Sequence, residues 1–249
     1  MLKEERFEII LTQLNEHKKV KFEDLAMLLK VSEDTVRRDI DMLNRHGLLS
    51  KARGGAILRE KDPLTFHARQ SFLTKEKDRI ALKAQSFLKD GMTVFMDGGT
   101  TICAVVNYMP LDIKLRLITN NYSIIPLVEK FKNIELIMLG GNYEADLAVT
   151  SGITTCLEVS KYIADLFIMG TCAIDVDFGL SALSVTDGET KKAMVESSKK
   201  IVAVASQNKL GRAEPFKVCT INRIDSLITD LNADHPELNS FRNLNIQII

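Results

Sequence analysis

The stretch Val31-Ser32-Glu33-Asp34-Thr35-Val36-Arg37-Arg38-Asp39-Ile40-Asp41-Met42-Leu43 decides how the start of the chain folds. Ser32 stands where an N-cap accepts the free amides of a first helical turn, and Glu33 and Asp34 set carboxylates against the positive end of the helix dipole. Val36, Ile40 and Leu43 recur at i, i+4 and i+7, a stripe that one helix face buries. The spacing predicts a helix from Ser32 to Arg45 that stops near His46-Gly47, where glycine supplies the left-handed end conformation. With the stripe turned inward, Thr35 and Arg38 share a more exposed face, and Arg37 flanks it.

Working outward, Phe7, Ile10, Leu11 and Leu14 predict an earlier helix, and Phe22, Leu25, Ala26 and Leu29 predict a second, from Phe22 to Lys30. Two short helices joined by a tight connection form a helix-turn-helix, whose second helix enters the DNA major groove. Arginine on that helix can fork onto two guanine acceptors or clamp a phosphate, and the Ser32 and Thr35 hydroxyls can bond phosphates. The bland alternative is a solvated face on which Arg37 pairs with Asp41, worth only about 0.2–0.5 kcal/mol. Downstream, Leu48 to Leu58 alternates apolar and polar residues around Gly54-Gly55, the pattern of a two-stranded wing. Arg45, Lys51, Arg53, Arg59 and Lys61 face only Glu60, a local balance of +4.

That basic edge is hidden in the whole-chain figures. The 249 residues carry 33 Lys+Arg and 33 Asp+Glu, with 45% hydrophobic residues, which excludes a disordered chain and leaves room for one or two cored domains. Met1 to Glu8 is charged and lacks a signal-peptide core, and no apolar run approaches the roughly 20 residues that span a bilayer, so a cytoplasmic protein without a membrane partner is expected. Cys103, Cys156, Cys172 and Cys219 lack metal-ligand or disulfide spacing and are expected to be buried, reduced and apolar in role; no metal or cofactor is expected.

Beyond Asp62-Pro63 a helix is predicted from about Thr74 to Lys89. Six β-branched runs follow, at Thr93–Met96, Leu115–Ile118, Ile134–Met138, Asp165–Met169, Ile201–Ala205 and Ser226–Ile228, each before a helical stretch or polar loop. Such alternation predicts an α/β domain on a largely parallel sheet. Polar and glycine residues gather after the runs: Asp97-Gly98-Gly99-Thr100-Thr101, Thr119-Asn120-Asn121, Gly140-Gly141, Gly170-Thr171 and Ser206 to Lys209. The carboxyl ends of parallel strands frame ligand crevices, so five such loops point to one small-molecule site. In the first of them, close-approach glycines, free helix-start amides and two hydroxyls suit a phosphate, although a tight turn with capped amides reads the same way. Neither the Gly-Lys-Ser/Thr phosphate loop nor a Gly-x-Gly-x-x-Gly order is present.

Val31 to Ile40, Leu43, Gly47-Leu48-Leu49 and Arg53-Gly54-Gly55-Ala56 together closely resemble the N-terminal domain of the DeoR family of bacterial transcriptional regulators, with Arg53 where that family often has His. Asp97 to Thr101, Thr119-Asn120, Gly140-Gly141, Lys209, Arg69, Lys77 and Glu189-Thr190-Lys191-Lys192-Ala193-Met194 extend the resemblance to nearly the whole chain. It implies a winged helix-turn-helix domain over 1–58, a linker over 59–73 and, over 74–249, a Rossmann-like α/β domain similar in fold to ribose-5-phosphate isomerase and related sugar-phosphate enzymes. The implied partners are double-stranded operator DNA, contacted by Ser32, Thr35, Arg37, Arg38, Lys51 and Arg53, and a phosphorylated sugar effector. Gly99, Thr100 and Thr101 would hold the phosphate with Lys209 adding a cation; Asp97 and Asn120 would bond sugar hydroxyls, and the Gly140-Gly141 loop would complete the site. A repressor of carbohydrate utilisation acting as a homodimer or homotetramer is the expectation. An isomerase-like enzyme carrying a DNA-binding domain is the alternative; no carboxylate pair or Ser-His-Asp spacing marks a catalytic centre, so no enzyme activity is expected.

Overall fold

Leucine, isoleucine and phenylalanine at helical spacing build the first of two separate units, Met1–Phe72 and Leu73–Ile249. The structure is a computed structural model, and it describes residues 2–45, 48–57 and 65–249, with the side chains of Glu4, Asn15 and Arg45 left aside. The predicted helix stop at His46-Gly47, the Asp62-Pro63 break and the cations Arg59 and Lys61 lie outside the described residues.

In the first unit, helix α1 (Lys3–His17) leads through strand β1 (Lys19–Lys21) to α2 (Phe22–Leu29), α3 (Glu33–Arg45) and the hairpin β2 (Ser50–Ala52) and β3 (Gly55–Ile57). Ile10, Leu14, Leu25, Leu29, Val36, Ile40 and Leu43 close over one another as its core, as the helical spacing requires. Strand β1 was not foreseen: it pairs antiparallel with β3, making the wing three-stranded in the order β1-β3-β2. Gly55 is obligatory there, because a Cβ would sit 2.0 Å from the Val20 carbonyl oxygen. A short helix, α4 (Phe66–Gln70), capped by Thr65, lies in the stretch read as linker.

The second unit starts with α5 (Thr74–Ala84), shorter than the predicted helix because residues 85–87 tighten into a 3₁₀ turn. There follow β4 (Thr93–Met96), α6 (Thr100–Asn107), β5 (Leu115–Thr119), α7 (Ile125–Val128), β6 (Ile134–Met138), β7 (Asn142–Glu144), β8 (Val149–Ser151), α8 (Ile153–Val159) and β9 (Leu166–Gly170). Then come β10 (Ala173–Asp175), β11 (Gly179–Ala182), α9 (Val185–Glu196), β12 (Ile201–Val204), β13 (Phe216–Cys219), β14 (Ser226–Ile228), α10 (Asn239–Arg242) and β15 (Gln247–Ile248). Seven strands form one parallel sheet in the order β15-β14-β12-β9-β4-β5-β6.

Strand residues alternate between two cores. Val94, Met96, Leu117 and Ile168 pack with α5 and α6, whereas Phe95, Ile118, Phe167 and Met169 pack with α9 and the side sheet β10-β11-β13. Phe95 and Phe167 meet edge to face at 6.4 Å, the geometry aromatic rings prefer. From β4 the chain winds outward to β5 and β6, then returns as β9 on the other flank of β4. The sheet therefore changes direction between β4 and β9, and in open α/β sheets the ligand crevice lies beyond the carboxyl ends at such a point.

Candidate functional site

In the first unit, Ser32 Oγ accepts from the Thr35 amide at 3.3 Å and lies 3.0 Å from Thr35 Oγ1, which caps α3 as its sequence suggested. Asp39 is buried, and it accepts two hydrogen bonds from Arg6 of α1, at 2.6 and 3.1 Å. Arg37 does not pair with Asp41. It reaches back to Glu33 at 3.3 Å and lies over the Phe22 ring, while Asp41 takes the Lys51 ammonium from the wing. A Glu four residues N-terminal to the cation is the favoured orientation on a helix, and Lys51 supplies Asp41 with a partner from another element. Arg38 and Arg53 are exposed, and among the described residues neither forms an ion pair. The exposed cations thus flank α3 and the wing turn, as a candidate nucleic-acid interface.

In the second unit, Asp97 follows β4 directly and is 1% exposed. Its Oδ1 accepts from the Gly170 amide at 2.7 Å, and its Oδ2 pairs with the Lys191 ammonium from α9. Lys191 Nζ also donates to the Gly170 carbonyl at 3.1 Å and lies 3.5 Å from Asp187. One buried ammonium therefore ties the ends of β4 and β9 together at the switch point. Burial pushes the Asp97 carboxyl up to about 6, against the pull of the Lys191 charge and hydrogen bond. Burial works the other way on Lys191, but Asp187 and Asp97 outweigh it and raise its pKa above the ordinary lysine value.

Next to this pair, α6 begins. Its N-cap, Gly99, has φ +124° and no side chain to cap the first-turn amides, in contrast to Ser184 on α9 and Thr65 on α4, which do cap theirs. A Cβ at Gly99 would meet nothing within 4 Å, so the loop is open at its N-cap. Thr100 and Thr101 form the first turn, largely buried. Uncapped amides at the positive end of a helix form an anion cradle. Gly170 is closely packed on this loop, with a Cβ there falling 2.9 Å from the Gly98 carbonyl oxygen.

The other expected residues ring the same edge of the sheet. Asn120 follows β5, buried, with Nδ2 donating to the Thr150 carbonyl at 2.7 Å while the Thr150 amide donates to the Asn120 carbonyl. Lys209 follows β12 and donates to the Thr171 carbonyl at 2.6 Å. Gly140 follows β6, where its amide donates to Glu158 and its carbonyl accepts from Thr155, and Gly141 has φ +139° with Thr155 and Ser151 against it. These last two glycines are thus engaged with α8 and β8.

Sequence reasoning placed Asn121 and Thr171 only in the loops framing the site and assigned no site role to them, to Lys191 or to Asp187. Asn121 is fully buried and donates to the Asp97 carbonyl at 3.3 Å, holding the β4 loop. The i, i+4 spacing of Asp187 and Lys191 was a signal, but on an ordinary helix it marks a solvated pair. The cysteines also need correction. Only Cys219 is buried; Cys103 in α6, Cys156 in α8 and Cys172 after β9 are partly exposed, and all four are free thiols. Burial raises Cys103 and Cys219 to about 11, so both stay protonated.

A winged helix-turn-helix unit in one chain with a parallel α/β unit, polar at its switch point, defines a class of two-domain DNA-binding regulators. Residues 6–62 match the DeoR-like helix-turn-helix domain and residues 73–231 the DeoR C terminal sensor domain, and the chain belongs to the DeoR family. It is 31% identical to the HTH-type transcriptional repressor GlcR of Bacillus subtilis (strain 168), over 92% of this chain and 89% of that protein. It is also 31% identical to the glycerol-3-phosphate regulon repressor of Escherichia coli (strain K12), over 85% of this chain and 84% of that one. Among solved structures, ribose 5-phosphate isomerase A from Methanocaldococcus jannaschii is similar with a TM-score of 0.40 and 16% identity, over 54% of this chain and 53% of that chain. No helix among the described residues is long and apolar enough to cross a membrane.

Proposed function

We propose that the protein is a repressor of a carbohydrate-utilisation operon, released from operator DNA by a phosphorylated sugar. The observation that carries this reading is the uncapped, glycine-led start of α6, set beside the buried Asp97–Lys191 pair at the switch point. Gly99, Thr100 and Thr101 receive the phosphate, Lys209 adds positive charge, and the spare lone pairs of Asp97 and Asn120 accept ligand hydroxyls. Gly140 and Gly141 bound the crevice. On the DNA side, Arg38 reads base edges or phosphate from α3, Arg37, Thr35 and Ser32 line the same helix start, and Lys51 and Arg53 bring the wing to the backbone. Asp97 is held on both oxygens, by the Gly170 amide and the Lys191 ammonium, which favours a sensor in which it positions the ligand over one in which it moves a proton. The regulator works in the cytoplasm as a homodimer or homotetramer, because paired recognition helices multiply specificity.

A mobility-shift gel with DNA from upstream of the protein's own gene, titrated with a panel of sugar phosphates, tests the reading. A shift at low salt, reversed by one phosphorylated sugar, is expected. Failure to bind any promoter fragment, together with turnover of a sugar phosphate, would sink it in favour of the isomerase-like alternative.

A further inference from the structure

Two side-chain atoms at the crevice are buried without a hydrogen-bond partner: Asn120 Oδ1, after β5, and Thr171 Oγ1, after β9. The residues are 1% and 4% exposed. They straddle β4, whose loop starts the anion cradle, since β5 and β9 are its two neighbours in the sheet. Buried polar groups are almost always satisfied, and an unmet one costs about as much as a lost hydrogen bond, so two orphans on either side of one cradle mark where a ligand supplies the missing partners.

Their chemistry differs. The bond from Asn120 Nδ2 to the Thr150 carbonyl fixes the amide orientation, so Oδ1 can only accept and needs a donor. A phosphate dianion is all acceptor and cannot meet it. Thr171 Oγ1 can donate, and the Lys209 ammonium bonds the carbonyl of the same residue. We propose that the ligand lies across β4 in one direction, with its phosphate between the start of α6 and Thr171 and a free hydroxyl donating to Asn120 Oδ1. Thr171 becomes a phosphate-binding residue, and Asn120 selects phosphate esters that carry hydroxyls over those that do not. Asn120 is held by β8 through Thr150, so its Oδ1 is presented in a fixed direction. This inference rests on the reading of the crevice as a phosphorylated-sugar site and adds its polarity and a new contact.

The test is calorimetric titration of the full chain with ribose 5-phosphate, glucose 6-phosphate, fructose 6-phosphate, hexyl phosphate and inorganic phosphate. The best sugar phosphate should bind at least about tenfold more tightly than hexyl phosphate, the worth of one hydrogen bond to a buried acceptor. Thr171→Val should weaken every phosphate-bearing probe about tenfold, with Thr171→Ser restoring affinity. Because valine removes an unmet hydroxyl, the same variant should melt about 2–4 °C higher without ligand, an outcome opposite to that of a structural threonine. Asn120→Ala should abolish the preference for the sugar phosphate over hexyl phosphate; should it fail to fold, the wild-type preference and the threonine variants decide. Unchanged affinity in Thr171→Val, or equal binding of hexyl phosphate by the wild type, overturns the inference. If no phosphorylated probe binds the wild type, the crevice reading itself falls and takes this inference with it.

Discussion

In each unit an ion pair with little solvent exposure ties two elements together, and the two pairs are built on different terms. Arg6–Asp39 joins α1 to α3 with matched hydrogen bonds, and the arginine keeps 15% of its side chain in solvent. Asp97–Lys191 joins β4 to α9 with side chains 1% and 5% exposed, and the ammonium serves Asp187 as well. If Asp39 is lost, water can still hydrate Arg6; if either partner of the second pair is lost, the survivor stays out of solvent. A buried pair adds little net stability over apolar residues, because desolvation cancels its attraction, yet breaking it is expensive. Its presence at the switch point is therefore better explained by the geometry it fixes, two strand ends held together beside the start of α6, than by stability.

The largest expected effect follows from that contrast. Lys191→Met strands the Asp97 charge and should destabilise the second unit by about 3–5 kcal/mol in urea unfolding, with Asp97→Asn on the same chain recovering part of the loss. Asp39→Ala should cost the first unit less, about 1.5–3 kcal/mol, because Arg6 can turn to water. Equal losses would break the comparison.

The pH dependence sharpens it. Asp97 releases its proton near pH 6 in the folded chain, against 3.8 for an ordinary carboxyl. Between those values the folded state holds more protons than the unfolded one, so the contribution of Asp97 to stability declines as pH rises from about 4 to 6 and is level above. Wild type should lose stability relative to Asp97→Asn across that window, measured by denaturant titration at fixed ionic strength. A difference that stays constant, or grows in favour of the wild type, would place Asp97 in a less desolvated setting than the structure has.

The contrast also explains what could be read from the chain in advance. The α3 stripe and six of the seven parallel strands were legible because each buries apolar residues at a helical or strand period. Strand β15 was not, since Gln247-Ile248 is only two residues long. The hairpin β7–β8 and the side sheet are built of short strands that each carry polar residues or glycine, which hides an apolar run. Helix α9 buries Asp187, Gly188, Thr190 and Lys191 beside Met194 and Val195, so its inward face is polar and the hydrophobic pattern that announces a buried helix is missing. Loops rich in glycine and threonine could be read as one edge of a sheet. The lysine that organises them came from a helix that looked solvated, nearly a hundred residues away.

The smallest effect concerns the exposed charges, where the same logic applies with water present. Arg37 is held by Glu33 and the Phe22 ring, so it must give up existing partners before it can touch a phosphate; Arg38, one residue on, has no ion pair to break among the described residues. Arg38→Ala should therefore weaken binding to the upstream DNA fragment by about 1–3 kcal/mol and, if its contact is to phosphate, reduce the salt slope by about one. Arg37→Ala should cost under about 1 kcal/mol, because the lost contact is offset by a pair that no longer has to break. Both variants should retain wild-type affinity for the sugar phosphate, since their side chains belong to the first unit. If Arg37→Ala proves the more damaging, the Glu33 pair is orienting the guanidinium toward DNA rather than competing for it, and an exposed pair would then do for the recognition helix what Lys191–Asp97 does for the crevice.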